Sequence, residues 1–91
     1  MPARTLRIIE HPGYFETIDT VYNIEPGTYT FEVKNRSNKD SGFVLSREYE
    51  KPIVIMIKNA ETGTVEVDLK SGDYSYFCPI IPTPVYTIRV K

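Results

Sequence analysis

The chain has 91 residues, 41% of them apolar and 25% charged, the balance of a folded globular protein rather than a disordered one. Eleven Lys and Arg stand against twelve Asp and Glu, for a net charge of −1. The signs are interspersed, so no basic stripe follows a phosphate backbone and nucleic-acid binding has no electrostatic support. A chain of this length makes one domain, 1–91, with a modest core.

No apolar run is long enough to cross a bilayer, which argues against membrane insertion. The opening Met1-Pro2-Ala3-Arg4-Thr5 does not read as a signal peptide, because no apolar stretch follows the positive charge. The single cysteine, Cys78, permits no disulfide within the chain and leaves the compartment open.

Seven prolines spread among Gly and Asn clusters leave no room for a long amphipathic helix. Apolar residues recur instead at period two, the signature of strands with one buried face. Leu6 and Ile8 begin the first run, and Thr20, Tyr22 and Ile24 are expected to form another. Tyr29, Phe31 and Val33 alternate with Thr30, Glu32 and Lys34, the clearest half-buried strand of the first half.

A polar stretch over 35–42 leads into Phe43-Val44-Leu45. Pro52 then opens Ile53-Val54-Ile55-Met56-Ile57, expected to be a strand buried on both faces, with proline tolerated at its start. Val65, Val67 and Leu69 follow Thr62-Gly63. Ser71-Gly72-Asp73 reads as a turn, after which Tyr74, Tyr76 and Cys78 share a face. Tyr86, Ile88 and Val90 close the chain. Short strands at this spacing, rich in β-branched and aromatic residues, define an all-β sandwich or barrel.

Several stretches resemble the cupredoxins, the blue-copper protein family. Gly27-Thr28-Tyr29-Thr30-Phe31-Glu32-Val33-Lys34-Asn35 resembles that family's glycine turn, alternating strand and closing asparagine. Gly72-Asp73-Tyr74-Ser75-Tyr76-Phe77-Cys78-Pro79 resembles the strand that delivers its copper-ligating cysteine. Ser41-Gly42-Phe43-Val44-Leu45 stands where the family commonly reads His-Asn-Phe and two apolar residues, and Tyr86-Thr87-Ile88-Arg89-Val90 resembles its closing strand. The resemblance covers roughly residues 25–91. It implies a cupredoxin-like Greek-key β-sandwich of about seven or eight strands, and an extracytoplasmic compartment reached after removal of a leader.

The resemblance also implies a place for copper, which the family holds with two histidines, a cysteine and usually a weak axial methionine. Here Ser41 takes the place of the first histidine, Cys78 is retained, and the loop that would carry the second holds Ile80, Ile81 and Thr83. No methionine follows Cys78, and the chain's one histidine is His11. One histidine cannot supply two imidazoles. The expectation is a site that has lost its copper, with Ser41, Cys78, Ile81 and Thr83 at its former positions and no cofactor.

Cys78 can be read as a metal ligand, a redox thiol or a packed residue. Its phase with Tyr74 and Tyr76 favours packing. His11, beside Pro12-Gly13, reads as a turn residue, and its spacing to Glu10, Glu16 and Asp19 fits no zinc motif. Asn35-Arg36-Ser37 fits the glycosylation pattern, but the resemblance makes Asn35 structural. No nucleophile elbow or phosphate loop points to an enzyme.

The segment Pro79-Ile80-Ile81-Pro82-Thr83-Pro84 is apolar and stiffened by proline. Its isoleucines either lie exposed as a contact patch or fold inward to fill the copper cavity. The expectation is a non-enzymatic subunit acting by protein–protein contact, an assembly or docking component of a larger redox complex. Contact falls to Phe43, Ile80, Ile81, Pro82 and Pro84, with self-assembly through sheet edges as a second route. The alternative is an electron-transfer protein with a noncanonical metal site at Cys78.

Overall fold

The computed structural model describes residues 4–19, 21–80 and 82–91. Eight strands form two four-stranded sheets: β1 (Arg4–His11), β2 (Tyr14–Thr17), β3 (Gly27–Asn35), β4 (Ser41–Ser46), β5 (Ile53–Ile57), β6 (Thr62–Leu69), β7 (Gly72–Phe77) and β8 (Tyr86–Val90). One sheet runs β2-β1-β3-β6 and the other β5-β4-β7-β8. β1 and β3 pair in parallel and every other pairing is antiparallel.

The period-two pattern sets which side chains meet. Leu6 and Ile8 of β1, with Tyr29, Phe31 and Val33 of β3, face Phe43 and Leu45 of β4, Tyr74 and Tyr76 of β7, and Ile88 of β8, all buried in one core. Burying a side chain of this size stabilises by about 1.5–3 kcal/mol.

Two devices close the open sides of the sandwich. On one side, β2 carries Phe15 into an aromatic cluster, edge-on to Phe43, Tyr76 and Tyr86 at centroid distances of 6.0, 5.6 and 5.8 Å. The Phe15 N–H donates to Tyr86 Oη at 3.0 Å, and Thr17 Oγ1 lies 2.5 Å from Tyr76 Oη. On the other side β6 meets β5 at Gly63, where a Cβ would lie 2.7 Å from Ile57 Cγ1. Only glycine lets the sheets approach so closely there.

The structure departs from the sequence reading at three elements. Residues 21–24 do not form a strand. Ile24 makes a single bridge to Val90, and the backbone turns at Asn23, whose φ is +57°, leaving Tyr22 exposed. Thr20 lies outside the described residues. β5 is an edge strand, not one buried on both faces: Ile53, Ile55 and Ile57 turn inward while Val54 and Met56 face solvent. β2, unforeseen, pairs with β1 across the Pro12-Gly13 turn.

Candidate functional site

The ends of β1 and β3, the start of β4, the end of β5 and the β7–β8 connection meet at one pole of the sandwich. Asn35 ties this pole together. Its Nδ2 donates to Lys39 O and Ile57 O, both at 2.9 Å, while its Oδ1 accepts from Ser37 N (2.9 Å) and Ser37 Oγ (2.6 Å). One buried amide thus holds two loops. With its nitrogen so engaged, Asn35 serves structure, and the glycosylation pattern is incidental.

Beneath these loops lies a polar cluster in an otherwise apolar core. Ser41, the first residue of β4, is fully buried, and its Oγ donates to Glu10 Oε2 at 2.6 Å. The same Oγ lies 2.9 Å from Cys78 Sγ. A serine hydroxyl has one proton, and Glu10 takes it, so the thiol donates to Ser41 in turn. The order is Cys78 to Ser41 to Glu10.

Glu10 was not foreseen as a site residue. It continues the inward phase of Leu6 and Ile8 on β1, and its exposure is 0%. Its second oxygen, Oε1, has no hydrogen-bond partner among the described residues. A buried polar atom without a partner typically costs about 1–3 kcal/mol, more if charged. Core packing alone does not account for a carboxyl group here.

The loop after Cys78 is braced from within. Cys78 N–H donates to Thr83 Oγ1 at 3.2 Å, Thr83 Oγ1 donates to Pro84 O at 3.1 Å, and Ile80 N–H points to Cys78 Sγ at 3.4 Å. Ser41, Cys78 and Thr83 therefore do come together, joined by Glu10. Ile81 lies outside the described residues.

Of the expected contact residues, Ile80, Pro82 and Pro84 are exposed. Phe43 is not available: it is fully buried, with its ring against Phe15, Phe31 and Tyr76. The inward phase of β4 sends it into the core, a correction to the sequence reading. Met56 joins the surface instead. A Cβ at Gly42 would lie 3.1 Å from Met56 Sδ and 3.2 Å from Pro79 Cγ, so these side chains sit side by side over the Gly42 backbone.

His11 Nε2 lies 2.9 Å from Glu16 Oε1, and its ring stacks on Tyr14 at 4.7 Å. Asp19 is bound to Arg7 by two side-chain hydrogen bonds of 3.1 and 3.0 Å. The acidic residues near His11 in sequence thus face different ways. No group of three or more His, Cys, Asp or Glu converges among the described residues.

No family model matches the sequence, and no curated protein matches it. Solved structures do resemble the fold. Auracyanin B superposes with a TM-score of 0.69 at 15% identity, covering 100% of this chain and 91% of that one. A reduced variant of amicyanin gives 0.66 at 15% identity over 100% of this chain and 86% of that one. A Cu(I) variant of amicyanin gives 0.58 at 18% identity, covering 98% and 82%. The fold is the cupredoxin-like β-sandwich that the sequence resemblance implied. A copper site of two imidazoles and a thiolate does not fit the residues present, since the one histidine is engaged with Glu16 and a buried serine abuts Cys78.

Proposed function

We propose that this chain is a non-enzymatic, copper-free domain that works by protein–protein contact, as a docking or assembly subunit of a larger redox complex. The observation that carries this reading is the apolar surface of the pole. Met56, Ile80 and Val85 are 63, 50 and 66% exposed, and Pro79, Pro82 and Pro84 are exposed in the same connection. Exposed apolar residues gathered at one end of a small domain are the usual mark of an interface.

Rigidity supports the reading. Thr83 and the prolines hold the loop before any partner arrives, which limits the entropy lost on binding. The redox setting is taken from the fold neighbours, among them reduced and Cu(I) variants of amicyanin. The open edge of β5, with Val54 and Met56 outward, supports self-association as a second contact.

Ile80→Asp tests the docking reading. It should release the domain from its native assembly while leaving its own thermal unfolding within a few degrees of wild type. Assembly unaffected by this variant would refute it.

A further inference from the structure

We propose that the partner met by this pole is an acidic protein, whose carboxylates engage a ring of four cations, Lys34, Arg36, Lys39 and Lys58, beside the apolar contact. The inference deepens the docking reading and rests on it for the apolar half of the contact. What carries it is the way the fold gathers charges that the sequence scatters. Lys34 and Arg36 flank Asn35 in the chain, and Asn35 Nδ2 lies 2.9 Å from Lys39 O and 3.3 Å from Lys58 O. One buried amide therefore brings basic residues of β3 and two loops to a single rim. All four are exposed, and none forms an ion pair among the described residues.

Two acids stand in the same loops. Asp40 Oδ1 accepts from the Asn59 N–H at 2.9 Å, and Glu61 lies two residues further along the chain. Four cations against two acids leave an excess of two positive charges here, on a chain whose net charge is −1. Like charges held together are unfavourable in the free domain, and a partner of opposite sign relieves that.

The ring also has a receptive shape. A cleft of about 300 Å³ is lined by Lys34, Arg36, Asn38 and Asn59. These side chains supply ammonium, guanidinium and amide donors, which suit a carboxylate. The ring is continuous with the apolar surface, since Lys58 and Met56 line one further cleft of about 250 Å³. An apolar centre with a charged rim is the usual division of a protein interface. Nucleic acid is a poorer fit, because Asp40 and Glu61 interrupt the positive field.

The test titrates the isotope-labelled full chain with poly-L-glutamate, read by amide chemical shifts. The expected shifts centre on residues 34–40 and 57–61, and about 0.5 M NaCl removes them by screening. Arg36→Glu with Lys58→Glu should weaken binding about tenfold or more, whereas Lys51→Glu with Lys70→Glu, beside the β4–β5 loop, should not. All four side chains are exposed, so neither double variant disturbs the core. Shifts centred elsewhere, or equal losses in the two double variants, overturn the proposal. So does saturation of the same residues by inorganic phosphate alone, or tighter binding of an oligodeoxythymidylate. Salt-sensitive self-association of the pure chain, abolished by Arg36→Glu with Lys58→Glu, overturns it too, by making the occupant a second copy.

The native assembly separates this inference from the docking reading. Release by Ile80→Asp and also by Arg36→Glu with Lys58→Glu supports the two together. Release by Ile80→Asp alone overturns the acidic partner and leaves docking standing. An assembly indifferent to Ile80→Asp overturns docking, and this inference with it.

Discussion

Replacing Asn35 with Ala should be among the most damaging single changes to the pole. The side chain makes four hydrogen bonds of 2.9 Å or less, to Lys39 O, Ile57 O, Ser37 N and Ser37 Oγ, from a fully buried position. At about 1 kcal/mol net for each bond, the loss is about 4 kcal/mol, less some recovery where water reaches the vacated groups. A chain of this length is stable by about 5–14 kcal/mol, so more than a quarter of the total is at stake. The midpoint of thermal unfolding should fall by roughly 15–25 °C. Urea unfolding followed by circular dichroism measures the loss directly. A cost below about 1 kcal/mol would refute the claim that this amide holds the 36–40 and 58–61 loops in place.

Two glycines give a ranked pair. A Cβ at Gly42 would meet the Ile55 backbone oxygen at 2.8 Å, whereas one at Gly63 would meet side-chain carbons of Ile57. Overpacking of this kind costs about 1–3 kcal/mol, and Gly42→Ala should cost more than Gly63→Ala in urea unfolding because a backbone atom cannot rotate away. The Arg7 guanidinium holds the Asp19 carboxyl below its ordinary value of 3.8, chiefly by side-chain hydrogen bonding. A depressed folded pKa means that this stabilisation is present above the unfolded value and is lost as pH falls through the folded one. Asp19→Asn should therefore flatten the acid limb of stability below about pH 4, read from urea midpoints. Burial pushes the Tyr76 hydroxyl above its ordinary 10.0, against the opposing bond to Thr17. The unfolded chain then ionises first, so stability falls as pH rises beyond about 10, and Tyr76→Phe should reduce that slope in alkaline denaturation.

Much of the sheet could be read from alternation because one buried face imposes a period of two. β3, with Tyr29, Phe31 and Val33 inward, is the plainest case. β5 shows the limit of that logic. An unbroken apolar run says that a strand is apolar, not whether a neighbouring layer covers both faces, and Val54 and Met56 proved to face solvent at an edge. β2 is only four residues long, too short for a period to emerge. It is fixed by Phe15 docking among aromatic rings distant in sequence, a contact that local pattern does not carry.

The site was legible in part. The order of the Ser41 and Cys78 segments placed those residues together, and Thr83 fell beside them. Phe43 was assigned to the surface although its strand phase sends it inward. Glu10 was passed over because a carboxylate in a strand ordinarily marks the solvated face. Its phase with Leu6 and Ile8 was the available signal, and a charged residue at an inward position is the kind of local inconsistency that marks a site.

The central claim is that the pole formed by Met56, Pro79, Ile80 and Val85 is where this domain meets a protein partner. The most direct measurement is its native size in an extract of its own cells, by size exclusion with mass spectrometry of the fractions. Wild type should be compared with Ile80→Asp and with Tyr49→Asp, a change at the opposite end where Tyr49 is 98% exposed. The account predicts that wild type and Tyr49→Asp elute in a large assembly with the same co-eluting partner. Ile80→Asp should elute near the mass of the chain, 10.5 kDa. Wild type eluting at that mass with bound copper, or an assembly indifferent to Ile80→Asp, would contradict it.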